Sequence, residues 1–320
     1  MTINEDRKNF FSTVLGVNGS LQDLEKRWLK ARVTPYVGSI PDMWRKYLGE
    51  NMDGVAKLPY PLNRGQGVRY EAESVALFAR FSTQPTTARK YLIDKLIKDL
   101  KAAGVWNKLD AFYVMAAHTA QAAQRNWKSS SNNLSPVSSP TFVADQGYTG
   151  NGTTSYLTTG LELSTATNYL LNSGHLAVWS RTNSQEASSL SIGARTTSTT
   201  NQATMLLRNG SDLGHARMNQ NVNPTGGAVA DSRGFFVGSR QASNSNILYR
   251  NGVQVNATTD VSTAKPAFAA YIGAINTGGT AGAFSARQHS VASIGAGLSA
   301  AETLAFYNAV NAYMVQIGAA

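Results

Sequence analysis

Cleaving a glycosidic bond takes two carboxyl groups flanking the bond, one acting as acid and the other as base or nucleophile. Beyond residue 141 the acids are Asp145, Glu162, Glu186, Asp212, Asp231, Asp260 and Glu302, and no two are near neighbours in the sequence. A catalytic pair on one strand is therefore excluded, and only the fold could bring two of them together. The histidines His118, His175, His215 and His289 show no metal-ligand spacing, and no Asp-x-Asp calcium run exists. There is no Gly-x-Ser-x-Gly nucleophile elbow and no phosphate-cradling Gly-Lys-[Ser/Thr] loop. With no cysteine, thiol nucleophiles, thiolate metal sites and disulfides are all ruled out. The expectation is a chain that is not an enzyme and uses no cofactor or metal.

Two other groups of residues point to contact rather than catalysis. Gly19-Ser20-Leu21-Gln22-Asp23-Leu24-Glu25-Lys26-Arg27-Trp28-Leu29 is echoed nineteen positions later by Gly38-Ser39-Ile40-Pro41-Asp42-Met43-Trp44-Arg45-Lys46-Tyr47-Leu48. Each copy reads as a short helix, capped by Ser20 or Ser39, with Asp23 and Asp42 near the positive end of the helix dipole. One such turn cannot bury its own apolar face, so Trp28, Trp44 and Tyr47 must pack locally or anchor the chain to a partner. Further on, the polar stretch holding His215, Arg217, Asn219 and Asn221 is a candidate contact surface, its alternative a solvated loop. Trp179, inside Leu-Ala-Val-Trp-Ser, is expected in the core.

The elements that position these residues are legible from punctuation and period. Residues 53–84 contain Pro59, Pro61, Gly65 and Gly67 and read as an irregular connection. From Pro85 an amphipathic helix runs to about residue 103, carrying Leu92, Ile93, Leu96, Ile97 and Leu100 before Gly104 ends it. Residues 112–115 could be a buried strand and 119–127 a second short helix, and 129–141 have loop chemistry that may cross a sheet face. Short β runs follow at 176–179, 204–207, 235–237, 247–249, 253–255 and 271–275. Asn251-Gly252 between two of them predicts a type I′ hairpin, with Arg250 facing Val253, Tyr249 facing Gln254 and Leu248 facing Val255. Leu248, Val253 and Val255 should then share a buried face. Ser299 and Glu302 form a capping box for a terminal helix to about residue 317, whose stripe of Leu304, Tyr307, Val310 and Met314 should pack on the sheets.

Of the 29 Lys+Arg residues, 20 fall in residues 1–128, against 12 of the 19 acids, so the basic charge belongs mainly to the first part. These cations sit among acids on helix-like segments, without zinc-finger spacing or an RNA-binding aromatic signature. An acidic protein surface is thus favoured as partner over nucleic acid. No apolar run is long enough to span a membrane, and the first residues lack the apolar centre of a signal peptide. Synthesis in the cytoplasm is expected.

Placed in order, Gly147-Tyr148-Thr149-Gly150-Asn151-Gly152-Thr153-Thr154-Ser155-Tyr156-Leu157-Thr158-Thr159-Gly160, Val237-Gly238-Ser239-Arg240, Leu248-Tyr249-Arg250-Asn251-Gly252-Val253, Ile272-Gly273-Ala274 and Ile294-Gly295-Ala296-Gly297-Leu298-Ser299 resemble the concanavalin A-like lectin/glucanase (laminin G-like) jelly roll of tailed-bacteriophage structural proteins. The resemblance covers roughly residues 105–320. It implies a mainly β, antiparallel jelly-roll sandwich with a packed C-terminal helix, preceded by a smaller α-helical N-terminal region. The division expected is 1–84, an anchoring region with the repeat at 19–29 and 38–48, and 85–320, the helix-led sandwich with its terminal helix at 299–317.

The function expected from the resemblance is that of a virion structural protein. It would dock through its N-terminal region on head or tail and display a lectin-like sandwich toward glycan or host surface. The partners implied are other virion proteins and host-surface glycan, with no membrane insertion, and homo-oligomerisation is left open. A glycan-degrading, tail-associated depolymerase and a purely structural, capsid-stabilising protein are the alternatives. His215, Arg217, Asn219 and Asn221 would be the glycan or surface contact, and Trp28, Trp44 and Tyr47 the particle anchor.

Overall fold

Strict alternation of side chains sorts the chain beyond residue 108 into short strands. The computed structural model describes residues 69–320, so the repeat and with it Trp28, Trp44 and Tyr47 lie outside the described residues. In chain order the strands are β1 (Leu109–Val114), β2 (Ser135–Val137), β3 (Thr141–Val143), β4 (Gly147–Thr149), β5 (Tyr156–Glu162), β6 (Gly174–Ser180), β7 (Ile192–Arg195), β8 (Gln202–Leu206) and β9 (Leu213–Gln220). They continue with β10 (Gly227–Ala228), β11 (Gly234–Arg240), β12 (Asn246–Arg250), β13 (Val253–Thr258), β14 (Ala269–Ile272), β15 (Ile275–Thr277), β16 (Thr280–Gly282) and β17 (Gln288–Gly295). The helices are α1 (Ala72–Phe78), α2 (Thr87–Ala102), α3 (Ala120–Ala123) and α4 (Ala300–Gln316).

One sheet has the order β13-β12-β11-β6-β17-β4-β3, with β1 also paired to β17. The other runs β10-β9-β8-β7-β14-β5-β2, extended by β15 on β7 and β16 on β15. Every described pairing is antiparallel except β15 with β7, and neither sheet closes into a barrel. The mainly β, two-sheet architecture with a C-terminal helix is the one expected. The sheets face each other through alternate residues: Leu176 and Val178 of β6, Phe236 of β11 and Ile294 of β17 on one side, and Ala203, Met205, Ala216 and Met218 on the other, all buried. At Gly238 the two sheets approach so closely that a Cβ would stand 2.5 Å from the Ala216 side chain.

The opposite face of the eight-stranded sheet is roofed by helix. Phe306 of α4 meets Phe112 at 5.7 Å and Phe235 edge-on at 5.0 Å, while Tyr307 stacks near Trp179 at 6.2 Å. Burying a side chain such as Phe306 is worth about 2–3 kcal/mol. The capping box at Ser299 and Glu302 is formed as expected, and Lys108 adds an ion pair to Glu302 at 2.6 Å. Helix α2 packs on α4, where Arg89 reaches the Tyr313 hydroxyl at 3.3 Å.

Four local readings are amended. Residues 72–78, inside the stretch read as irregular, are the helix α1. The run at 271–275 breaks into two strands at Gly273, whose φ of 77° suits glycine. Loop chemistry at 129–141 includes β2, which joins the nine-stranded sheet beside β5. At the hairpin, Asn251 and Gly252 both have positive φ, and Arg250–Val253 and Tyr249–Gln254 pair as expected. A bulge after Leu248, however, places it opposite Asn256, and Val253 is 67 % exposed instead of buried. Among the described residues β13 is the edge strand of its sheet, with no further strand paired beyond it.

Candidate functional site

The helical roof covers only one sheet, so the outer face of the nine-stranded sheet must be built from the alternate, non-core residues of its strands. The registers set these side by side. Ser135 pairs with Thr158, Thr158 with Tyr271, Tyr271 with Gly193, Gly193 with Thr204, and Thr204 with Arg217. The result is one continuous row across β2, β5, β14, β7, β8 and β9. With strands about 4.8 Å apart, Tyr271 and Arg217 are separated by about 14 Å along it.

Each position on the row has a distinct role. Tyr156 packs against Tyr271 at a ring separation of 4.5 Å, giving an aromatic end, and Phe284 flanks Tyr156 at 6.2 Å. Gly193 leaves the middle of the row without a side chain, and a Cβ there would fall 2.1 Å from the Ala203 carbonyl. Arg217 and Arg195 form the cationic end, with Arg217 Nη1 donating to Gln202 at 3.3 Å and Arg195 Nε to Thr277 at 2.8 Å. His215 lies beside them on β9, opposite Leu206.

This face holds polar atoms that the fold does not satisfy. Arg217 Nε, His215 Nε2 and the Thr204 hydroxyl are buried without a hydrogen-bond partner. An unpaired buried polar group costs on the order of 1–3 kcal/mol, so such a cluster calls for a reason. Burial, and then the Arg195 charge, push the Arg217 pKa down to about 10, leaving it charged at neutral pH. Burial, reinforced by Arg217, pushes His215 down to about 4, leaving it neutral and able to donate or accept.

Of the four contact residues read from the sequence, the structure brings Arg217 onto this row and His215 beside it on the same face. Asn219 is fully buried in a left-handed conformation, accepting from the Tyr169 hydroxyl at 2.8 Å and donating to the Leu170 and Leu171 carbonyls. Asn221 is exposed beyond the end of β9, where it accepts from the Asn201 amide at 2.7 Å and from Thr263. Tyr156, Tyr271, Gly193, Thr204 and Arg195 were not singled out. The alternation His215-x-Arg217 was the one available sign, since the others come from four separate strands.

The acids are scattered, as their spacing implied. Asp145 pairs with Arg89, Glu186 with Arg287, Asp212 with Arg208, Asp231 with Arg233, and Glu302 with Lys108; Asp260 accepts from Thr258. Glu162 accepts from Ser164, and together with Asp110 it lines a cavity of about 660 Å³ bounded by Lys128, Asn132 and Asn168. The Asp110 carboxylate is held by the Asn168 and Tyr169 amides, both at 2.8 Å. Trp179 is in the core, 4 % exposed. Among the described residues no group of three His, Asp or Glu is placed to hold a metal ion.

No protein-family model matches the chain, and no curated protein does. Solved structures that it resembles include a Trypanosoma rangeli sialidase in complex with 2,3-difluorosialic acid, at 11 % identity and a TM-score of 0.44 over 71 % of this chain and 40 % of the sialidase. Another is domain 4 of AbnA, a GH43 extracellular arabinanase from Geobacillus stearothermophilus, in complex with arabinotriose, at 11 % identity and 0.43 over 62 % of this chain and 98 % of the domain. The Streptococcus pneumoniae NanB sialidase follows at 15 % identity and 0.33 over 45 % of this chain and 25 % of the sialidase. This chain thus spans well under half of the sialidases it resembles. The likeness is one of β-sandwich fold, and none of these named structures is a phage protein. The structures named are sialidases and a domain of an arabinanase, which runs against the expectation of a chain that is not an enzyme.

Proposed function

We propose that the chain is a carbohydrate-binding β-sandwich that takes glycan along the outer face of its nine-stranded sheet. The observation that carries this reading is the row itself. An aromatic pair, Tyr156 and Tyr271, stands at one end, the side-chain-free Gly193 in the middle, and under-bonded Thr204 and Arg217 at the other end. A sugar combines apolar C–H faces with hydroxyls that donate and accept, and this surface presents the complement of both. The test is a glycan array with the full chain, followed by calorimetry on the best ligand with Tyr271→Ala and Arg217→Gln. Each substitution should weaken binding by about tenfold or more, equivalent to about 1.4 kcal/mol. Unchanged affinity in both variants refutes the assignment to this face.

Glycan cleavage is the second reading, supported by the cavity that Asp110 and Glu162 both line. Release of reducing sugar by the native chain and its loss in Glu162→Gln would establish it. The finer proposal, display of this face from a tailed-phage particle docked through residues 1–84, is supported by the sequence landmarks. Loss of particle binding on changing Trp28, Trp44 and Tyr47 to Ala tests it.

A further inference from the structure

A cavity of about 400 Å³ opens where β6 ends, β11 begins and the β12–β13 hairpin turns, against the second half of α4. Its walls include Arg181, Arg233 and Arg250, with Asp231 as the one acidic side chain, and Ala320 also lines it. Asp231 is held by Arg233 through Nη2 at 2.8 Å and Nε at 3.0 Å, and Arg250 stands 3.9 Å away. That leaves the cavity positively charged. Arg250 is further fixed by its Nε donating to the Arg233 carbonyl at 2.9 Å. Arg181 has no such engagement: its Nη1 is buried without a hydrogen-bond partner.

A guanidinium is planar, permanently charged and weakly hydrated, and it matches the fork of a carboxylate. The lining also holds Tyr307, whose ring stacks on the buried Trp179, and two amides, Asn251 and Asn311. The hairpin tip is rigidly placed, since Asn251 Oδ1 accepts from the Phe235 amide at 2.8 Å and a Cβ on Gly252 would meet Leu304 of α4. The volume is that of a small-molecule pocket. A simple inorganic anion would leave the Tyr307 ring and the amides unused, whereas a ring bearing a carboxylate engages all three.

We propose that this cavity binds a sugar acid, its carboxylate on Arg181 and its ring between Tyr307 and the amides of Asn251 and Asn311. The site is distinct from the sheet face and does not rest on it. The experiment is calorimetric titration of the full chain with D-glucuronate, D-galacturonate and D-mannuronate, against D-glucose, acetate and inorganic phosphate, in native protein, Arg181→Gln and Tyr271→Ala. At least one sugar acid should bind about tenfold more tightly than glucose, acetate or phosphate, and binding should weaken as salt rises. Arg181→Gln should remove about tenfold of that affinity with an unchanged melting temperature, because no hydrogen bond of the fold uses that Nη1. Tyr271→Ala should leave it intact, which separates this site from the sheet face. The proposal is overturned if none of the three acids binds, if acetate or phosphate binds as well as the best of them, or if Arg181→Gln leaves affinity unchanged.

Discussion

Arg287 is fully buried, and its partner Glu186 fastens the 181–190 loop to the approach of β17, so this ion pair is the place to perturb the frame shared by both candidate sites. Glu186 Oε2 receives Arg287 Nη1 at 2.5 Å and the Ser285 hydroxyl at 2.7 Å, while Oε1 receives the Ala286 amide at 3.0 Å. Arg287 Nη2 continues to the Ser184 and Arg208 carbonyls. Burial holds the Arg287 pKa down, Glu186 offsets this only in part and the Arg208 charge adds to it, so removing the carboxylate charge leaves a buried cation facing carbonyl dipoles and a second cation. Breaking a buried pair from one side costs about 3–5 kcal/mol. Gln keeps one acceptor oxygen, which places Glu186→Gln near the lower end, about 3 kcal/mol. For a unit of this size that is a fall in melting temperature of about 6–12 °C. The assay is denaturant unfolding and calorimetry on Glu186→Gln, Glu186→Leu, Arg287→Met and Glu186→Leu/Arg287→Met. The double variant should regain most of the loss, since replacing both charges by apolar side chains removes the desolvation burden together with the attraction. A loss below about 1 kcal/mol in Glu186→Gln, or strictly additive losses in the double variant, would refute the reasoning.

Acid should destabilise the fold through His175 and His289, both fully buried and pushed down by burial to about 4 and about 3. Unfolded histidine binds its proton near pH 6.5, so below that pH the unfolded state holds more protons and stability falls with pH until the folded groups titrate. At pH 5 each should remove up to about 2 kcal/mol; His289→Gln should flatten the unfolding curve between pH 6.5 and 3, and an unchanged slope would show that His289 is protonated in the fold. Ser299→Ala removes the hydroxyl that accepts the Glu302 amide at 3.2 Å and should lower stability by about 1 kcal/mol in denaturant unfolding. An unaltered midpoint would mean that the ion pair of Glu302 with Lys108 holds this helix end alone.

The elements legible from the sequence were those whose signals are local. The capping box at Ser299, the helix stripe from Leu92 to Leu100, the paired positive-φ residues Asn251 and Gly252 and the apolar run around Trp179 each carry their own geometry within a few residues. What escaped was set by partners distant in sequence. The bulge after Leu248, which turns the register toward Asn256, depends on a pairing that no turn residue encodes. Val253 is exposed on β13, the edge strand of its sheet among the described residues, and edge or centre is a property of the whole sheet. Asn219 looked like part of a polar surface because it follows His215 and Arg217 at the same spacing. It is drawn inward because a left-handed backbone at that point aims its amide at Tyr169 and two carbonyls.

The same logic explains why the candidate face was only half visible. Alternation along a strand says that two faces differ but cannot say which face a helix will cover. In the eight-stranded sheet the residues alternating with the inter-sheet core are His175, Ala177 and Trp179 on β6 and Phe235 and Val237 on β11, and α4 needs that surface apolar enough to seat Phe306 and Tyr307. In the nine-stranded sheet the equivalent positions are Thr158, Tyr271, Gly193, Thr204 and Arg217, a set too polar to seat such a helix. A stability-driven sequence would satisfy or replace Thr204, His215 and Arg217 there, since their orphaned atoms disfavour the folded state. On the proposed reading, these orphaned atoms, on one face with an aromatic pair, are the groups whose hydrogen bonds a bound glycan would complete.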